Sequence, residues 1–262
     1  MSRIACWLGL AAALVVLPTD ARVVAAQSSA EKTPLAIYDE VLETQVRDGY
    51  VYYRALKAQR GGLDRYIASL AGADVPGGRD AEAAFWLNAY NAIVLQTVIN
   101  HYPLQSLRTV AGAFDAPHRI GGRSMSLNQI ELRLAEFKDP RMFLALGRGA
   151  ADSGRLRSEI YTAEQLDRQL QQQAEECASR DRCIRVDGPG NRVLASEIFQ
   201  WRKKEFADAY AAAAGRRPPL ERAVVAIASL HRLDAEREVL ATDRFRIEYL
   251  PFDWSLNDLA RR

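Results

Sequence analysis

The first candidate for chemistry is a serine in a loop of small residues. The apolar run Met142–Leu146 is followed by a loop of glycine, alanine and aspartate that contains Ser153. We expect the apolar run to form a buried strand. A serine hydroxyl becomes a nucleophile only beside a base and a group that stabilises the oxyanion. Ser153 is therefore a candidate catalytic residue, although Ala151 and Arg155 stand where a nucleophile elbow needs glycine.

Charged side chains flank this serine in the sequence. Arg148 precedes it, and Arg155, Arg157 and Glu159 follow it. Guanidinium groups bind carboxylates and phosphates through paired hydrogen bonds, so the arginines would suit an anion-binding mouth around Ser153. The alternative is a solvated loop edge in which they pair with acidic residues of the same loop. Both interpretations stay open, and we count Arg148, Arg155, Arg157 and Glu159 as candidate binding residues.

Two asparagines lie within Arg79–His101, the most apolar helix that the sequence predicts. Asn88 and Asn91 are three residues apart and therefore share one face of this helix. A buried amide without partners costs about 1–3 kcal/mol, so both side chains need hydrogen bonds. We expect them to tie down neighbouring backbone. The alternative is that one lines a cleft and orients a ligand, so both are candidate binding residues.

The other polar motifs do not indicate a metal or a cofactor. The three histidines, His101, His118 and His231, are far apart in the sequence. The chain has no HExxH motif, no P-loop and no GxGxxG motif. We therefore predict neither a metal site nor a cofactor. If Ser153 is a nucleophile, its base would be His118 or His101.

The N-terminal residues predict export. Arg3 precedes an apolar run that leads to the small residues of VVAAQ, which is the pattern of a secretory signal peptide cleaved after Ala26. Residues 27–33 are expected to be a flexible leader, and residues 34–262 a single domain. No later segment reaches the roughly 18 apolar residues of a membrane span. We expect a periplasmic or secreted protein.

The cysteines predict a disulfide, and the net charge argues against one class of function. Cys177 and Cys183 are the cysteines beyond the signal segment, and in an exported chain two nearby cysteines predict a disulfide. The chain has 35 basic and 33 acidic residues, which gives a net charge of +2. This balance argues against a nucleic-acid-binding protein, which usually has a strong basic excess.

Helices and hairpins must position these residues. Capping boxes open two predicted helices, one at Ser126 and one at Thr162. Glycine-centred turns predict hairpins within residues 118–127 and 183–196. The elements do not follow a βαβ order. The sequence therefore predicts a single α+β domain, with helices packed on a small, mostly antiparallel sheet that contains hairpins.

Two segments of the chain are distinctive: FWLNAYNA, residues 85–92, and YLPFDWSLN, residues 249–257. Through them the chain resembles the bacterial branch of the family catalogued as domain of unknown function 547. The resemblance covers nearly all of residues 35–258. Its other segments are YDEVLETQVRDGYVYYRALK, LDRYIASLA, GGRSMSLNQIE, FKDPRMFLALGRGAADSGRLRSEIYTAEQLDRQL and ASEIFQWRKKEF. It implies an exported or membrane-associated α+β domain whose pattern suggests a thiol hydrolase or transferase.

This chain departs from the family's pattern at the residues that would carry such chemistry. Family members usually have a histidine just after the IE of the capped helix and a cysteine in a Gly-Cys-Pro turn. Leu132 and Ser153 hold these positions here. An earlier family cysteine corresponds to Arg148, and a family histidine to Phe143. Leucine cannot accept a proton, and a serine hydroxyl is a poor substitute for a thiolate.

These departures lead to two hypotheses of different classes. The first is an exported, catalytically degenerate domain that binds a peptide, a cell-envelope fragment or a protein partner in an inherited cleft. The second is a serine- or thiol-hydrolase-like enzyme that acts on peptide or amide bonds through Ser153. A purely structural part of an envelope assembly is a third hypothesis, but the sequence offers no exposed apolar stripe to support it.

Overall fold

The computed structural model describes residues 32–231 and 233–261 of the chain. The described residues form one compact unit with eleven α-helices and seven short strands. The predicted α+β domain is thereby confirmed. Within the described ranges no helix has both the length and the apolar character to cross a membrane. The signal peptide and most of the leader lie outside these ranges, so both stay predictions.

The helices are numbered in chain order. They are α1 Pro34–Gln45, α2 Tyr53–Ala58, α3 Gly61–Leu70, α4 Arg79–His101, α5 Leu127–Ala135, α6 Arg141–Leu144, α7 Leu166–Ser179, α8 Ile198–Trp201, α9 Lys203–Ala209, α10 Pro219–Ala228 and α11 Asp234–Thr242. The strands are β1 Val46–Arg47, β2 Tyr50–Val51, β3 His118–Ile120, β4 Arg123–Met125, β5 Ile184–Asp187, β6 Arg192–Ser196 and β7 Arg246–Leu250.

Helix α4 is the centre of the fold. It has the predicted bounds, and its buried side chains run from Ala83 to Ile99 around most of its circumference. Such a helix needs neighbours on several sides, and α2, α3 and α5 pack against it. Pro103 lies just beyond its end, where a proline stops a helix. Helix α4 is therefore the fixed element from which the central polar side chains project.

Ser126 and Gln129 form the predicted capping box at the start of α5. Ser126 Oγ accepts the Gln129 N–H at 3.2 Å, and Gln129 Oε1 accepts the Ser126 N–H at 2.9 Å. These bonds satisfy donors that the first helical turn leaves without partners. The helix that they fix turns Glu131 inward, whereas Leu132 faces solvent.

The largest sheet has three strands, with β6 between β5 and β7. Strands β5 and β6 form the predicted antiparallel hairpin, in which Ile184 lies opposite Ala195. Strand β7 runs parallel to β6, with Val193 opposite Ile247. Strands β3 and β4 form the other predicted hairpin, and β1 pairs with β2. Sequence reasoning predicted both hairpins but not the parallel pair, because its two strands are far apart along the chain.

After β7 the chain runs as an extended tail across the molecule. Ser255 O accepts the Ala151 N–H at 2.8 Å. The Asn257 side chain accepts the Tyr53 hydroxyl at 2.8 Å and donates to Gly49 O at 2.8 Å. The tail therefore connects the loop that contains Ser153 to the turn between β1 and β2.

The apolar run predicted as a strand is a short helix, and that prediction was wrong. Met142–Leu146 is buried, but most of it belongs to α6. Asp139 Oδ1 accepts the Arg141 N–H at 3.1 Å, which is one of the donors that the first turn of a helix leaves without a backbone partner. A short buried run has no polar face in either conformation, so its periodicity does not distinguish helix from strand.

The predicted capping box of Thr162 was also wrong. Helix α7 begins at Leu166, and the Gln165 N–H bonds to Thr162 O at 3.3 Å, so these residues form the turn before the helix. Gln169 Oε1 accepts the Thr162 N–H at 3.1 Å instead. Sequence reasoning missed α11 altogether, because most of its residues are polar and Leu240 is its one buried residue.

Candidate functional site

Ser153 is buried in a closed loop. Only 4% of it is exposed, and its hydroxyl donates to Ala150 O at 2.5 Å. The cavity beside it holds about 10 Å³, which is room for one water molecule at most. A Cβ at Gly154 would lie 2.0 Å from Leu144 O, so the loop is packed tightly against α6. This arrangement leaves no room for a substrate beside the hydroxyl.

Charged side chains and a disulfide hold this loop closed. Arg182 Nη1 lies 2.9 Å from Asp152 Oδ1, and Arg180 donates to Ala151 O at 3.1 Å. The predicted disulfide Cys177–Cys183 is present, and it closes the segment that carries both arginines. Residues distant in the sequence therefore fix the conformation around Ser153.

Within the described ranges the Ser153 hydroxyl bonds to no histidine. His101 ends α4, and its Nδ1 lies 2.9 Å from Thr97 O. His118 lies in β3, where burial lowers its pKa. Leu132 is 63% exposed and does not line the cavity beside Ser153. The structure therefore does not bring Ser153 together with the base position that the resemblance implies.

Asn88 and Asn91 hold the backbone of two loops. Asn88 donates to Tyr161 O at 2.8 Å and accepts the Tyr161 N–H at 2.9 Å. Asn91 donates to Ala145 O at 3.2 Å and accepts the Gly147 N–H at 2.8 Å. Both amides thus tie down backbone, as expected. Asn88 also lines an apolar groove of about 610 Å³, and a ligand-binding role for either asparagine stays a prediction.

Four side chains form what we call the buried charge cluster: Tyr90, Glu131, Arg148 and Arg202. The Tyr90 hydroxyl donates to Glu131 Oε1 at 2.8 Å. Arg148 Nη2 lies 3.2 Å from the Glu131 carboxylate, and Arg202 donates to Glu131 Oε2. Glu131 and Arg148 are both buried. Their attraction is consequently stronger than that of a pair in water.

The carboxyl of Glu131 is held in its ionised form. Burial by itself raises the pKa of Glu131, but Arg148 and Arg202 outweigh burial, so this pKa lies below its ordinary value. Burial raises the pKa of Tyr90, and the neighbouring carboxylate raises it further. The cluster therefore combines an anionic acceptor with a neutral hydroxyl donor.

The buried charge cluster occupies positions to which the resemblance assigns chemistry. Arg148 stands at a family cysteine position, and Phe143 at a family histidine position. The Arg202 guanidinium lies 4.5 Å from the ring centre of Phe143. Positions 143 and 148 therefore meet beside Glu131. A guanidinium stays protonated and has no acceptor, so Arg148 cannot replace a thiolate.

Sequence reasoning missed three members of this cluster: Tyr90, Glu131 and Arg202. Tyr90 and Glu131 lie inside segments that carry the resemblance, FWLNAYNA and NQIE, so their position in the family pattern was an available signal. Arg202 also lies inside such a segment, ASEIFQWRKKEF. Nothing local indicates that it pairs with Glu131, which is 71 positions away in the sequence.

A second site is open to solvent. We call it the polar cleft, and it holds about 310 Å³. Its charged and amide side chains are Asp48, Arg155, Arg157, Glu159, Gln172, Gln173 and Glu176. Arg155 bridges Asp48 and Glu176, each at 2.8 Å. Arg157 binds Glu159 and also Gln172, the latter at 2.9 Å.

Three of the predicted binding residues, Arg155, Arg157 and Glu159, meet in the polar cleft. The anion-binding mouth around Ser153 is not formed, because Arg148 turns into the buried charge cluster and the other arginines pair with carboxylates. The hydrogen bond from Arg157 lowers the pKa of Glu159. With two guanidinium groups and three carboxylates, the cleft has one excess negative charge. In the part of the chain that the structure describes, no three His, Cys, Asp or Glu side chains are arranged to hold a metal ion.

Comparison with known proteins gives one match. The model of the family described as "Protein of unknown function, DUF547" matches residues 77–177. This range runs from just before α4 into α7 and contains Tyr90, Glu131 and Arg148. No curated protein matches the chain, and no solved structure matches it. Residues 77–177, less than half of the chain, therefore carry its similarity to the DUF547 family.

Proposed function

We propose that this chain is an exported binding domain without catalytic activity, whose ligand is a short peptide or a peptide-bearing fragment of the cell envelope. The ligand occupies the polar cleft. One contrast carries the proposal. Ser153 is buried with its hydroxyl bonded to backbone, whereas the polar cleft is open and contains Arg155, Arg157 and Glu159.

The positions around the buried charge cluster support the absence of catalysis. Arg148 and Phe143 offer neither a nucleophile nor a proton acceptor. Glu131 is bonded to Tyr90, Arg148 and Arg202, so its carboxylate is committed to these partners. Hydrolysis through Ser153 would require the loop to open and a base to approach the hydroxyl.

The polar cleft suits a ligand that carries both signs of charge. Arg157 and Gln172 supply hydrogen-bond donors, and Glu159 and Glu176 supply carboxylate acceptors. A short peptide offers a free ammonium group together with amide and carboxylate oxygens, so it can pair with both kinds of group. The excess negative charge of the cleft favours the ammonium end.

Calorimetric titration with a panel of short peptides that have a free amino group tests the proposal. Arg157→Ala is expected to weaken binding about tenfold, because it removes a charged donor from the cleft. Ser153→Ala is expected to bind like the wild type. Arg123→Ala is the matched control, since Arg123 is an exposed arginine on β4 that does not line the cleft.

Two results would refute this function. One is cleavage of the peptides by the wild type that disappears in Ser153→Ala. The other is an affinity that falls equally in Arg157→Ala and Arg123→Ala, which would show that the cleft is not the binding site.

Export is the second part of the proposal. It is supported by the basic start, the apolar run and the small residues that end at Ala26, and by the disulfide Cys177–Cys183, which suits an oxidising compartment. The expected mature chain begins at Gln27. Intact-mass measurement of the exported fraction checks this, and a chain that retains residues 1–26 would refute it.

A further inference from the structure

A group of aromatic side chains lies beside the buried charge cluster. We call it the aromatic platform, and its members are Phe114, Trp201, Phe252 and Trp254. The ring centre of Trp201 lies 4.8 Å from that of Phe252 and 5.7 Å from that of Trp254. Phe114 packs edge-on against Trp254 at 6.0 Å. The Arg148 guanidinium lies 6.0 Å from the ring centre of Trp201, which links the platform to the cluster.

Part of this platform faces solvent. Trp201 ends α8 and is 42% exposed. On α5, the Asn128 N–H bonds to Phe114 O at 3.1 Å. Leu132 follows Asn128 by one helical turn on the same face and is also exposed. Apolar exposure therefore extends from the platform towards α5, and contiguous exposed apolar surface commonly marks a binding site.

Arg108 adds a positive charge to the platform. Its guanidinium lies 5.3 Å from the ring centre of Trp254, and a cation–π contact of this kind holds it there. Arg108 is exposed, and among the described residues it has no ion-pair partner. The indole N–H groups of Trp201 and Trp254 likewise have no acceptor among these residues. Arg108 and the two indole N–H groups are thus donors without an acceptor among these residues. A ligand at the platform could satisfy them with oxygen atoms, of which carboxylates suit Arg108 best.

We infer that the aromatic platform and Arg108 bind an acidic segment of a partner protein, which places an aromatic or aliphatic side chain against Trp201. Tryptophan and arginine are the residues that most often dominate the affinity of protein interfaces. Carboxylates beside the apolar anchor pair with Arg108 and steer the encounter. An anionic membrane is a poorer match, because membrane surfaces attract clusters of basic residues, whereas the platform is mainly aromatic.

Two matched peptides test this inference on the full chain. One has aspartate and glutamate residues around a phenylalanine and a leucine, and the other has lysine at every acidic position. The acidic peptide is expected to shift the indole N–H signals of Trp201 and Trp254 in NMR titrations. It is also expected to bind about tenfold more tightly than the basic peptide. Arg108→Glu and Trp201→Ala are each expected to weaken acidic-peptide binding about tenfold.

Exposed positions outside the platform provide the controls. Leu233 lies just before α11 and Arg237 lies within it, and both are exposed. Leu233→Ala removes a large exposed apolar side chain, Arg237→Glu reverses an exposed charge, and both variants are expected to bind like the wild type. Arg108 is exposed, so Arg108→Glu decides the test even if Trp201→Ala does not fold. Equal affinity for the two peptides, or undiminished binding by Arg108→Glu, would overturn the inference. Binding to anionic lipid vesicles without binding to the acidic peptide would overturn it in favour of a membrane surface.

Discussion

Glu131 is the residue on which the interior charges converge. It lies between Arg148 and Arg202 and accepts the hydroxyl of Tyr90. A buried carboxylate is stable only where nearby cations and hydrogen bonds offset its loss of hydration. The same argument explains Arg148, which stands where the resemblance leads one to expect a cysteine. A buried arginine needs an anion beside it, and Glu131 supplies that anion.

Replacing Glu131 with glutamine leaves Arg148 buried without its counter-charge. We expect Glu131→Gln to lower the free energy of unfolding by about 3–5 kcal/mol, the usual cost of removing one partner of a buried pair. Urea unfolding followed by tryptophan fluorescence measures this loss. Glu136→Gln is the matched control, because Glu136 pairs with Arg133 at the surface and should change stability by less than about 1 kcal/mol. Equal losses in the two variants would contradict the role of the cluster.

Glu131 also makes the free energy of unfolding depend on pH. Burial raises the pKa of Glu131, but Arg148 and Arg202 outweigh it, so the folded-state pKa lies below the ordinary value. The resulting stabilisation is complete above the ordinary glutamate pKa of about 4.3. It is lost as the pH falls from there through the lowered folded-state pKa. The wild type must therefore lose more stability on acidification than Glu131→Gln, and parallel pH profiles would be incompatible with this assignment.

The elements that could be predicted are those that local chemistry determines. The bounds of α4 follow from its own apolar residues, and the capping box at Ser126 is complete within four positions. Helix α6 could not be distinguished from a strand, because Met142–Leu146 are all apolar and show neither a helical nor a strand period. The turn at Thr162 could not be predicted either, because Gln169 competes for the bond that a capping box would use.

The candidate sites also differ in how far the sequence alone could predict them. Arg155, Arg157 and Glu159 follow each other closely, so the sequence grouped them, but it suggested an anion-binding mouth around Ser153 and not the polar cleft. Asp48 and Glu176 join that cleft through long-range ion pairs with Arg155, which no local pattern reveals. The buried charge cluster and the aromatic platform likewise combine residues from distant parts of the chain, so only the folded structure shows them.

Gly154 marks the contact between the loop that contains Ser153 and helix α6. A Cβ at this position would lie 2.0 Å from Leu144 O, and a backbone atom cannot move aside as a side chain can. We expect Gly154→Ala to lower the free energy of unfolding by about 1–3 kcal/mol or more. Calorimetric unfolding measures the change.

Gly61→Ala is the control for this prediction. Gly61 is the first residue of α3, and a Cβ there would have no neighbour within 4 Å. This change is expected to be neutral or slightly stabilising, because alanine loses less backbone freedom than glycine on folding. If Gly154→Ala is as stable as the wild type, the close packing of Gly154 against Leu144 does not hold the loop around Ser153 closed.

At the scale of the whole molecule, the sites combine residues inside and outside the part that matches the family. Residues 77–177 contain Glu131 and Arg148, whereas Arg202 completes the charge cluster from beyond that range. The aromatic platform draws Trp201 and Trp254 from outside it as well. The C-terminal tail joins these parts through its bonds to the loop that contains Ser153. The fold thus combines a buried charge cluster that contacts the aromatic platform with a polar cleft that is open to solvent.

The proposed function has two halves: the chain binds a peptide in the polar cleft, and it does not cleave that peptide. One NMR experiment tests both halves, with the wild-type chain and a short peptide that has a free amino group in the same sample. We expect the amide signals of Arg155, Arg157 and Glu159 to shift, the signal of Ser153 to stay in place and the peptide to remain intact. Cleavage products that accumulate with the wild type, but not with Ser153→Ala, would refute this function.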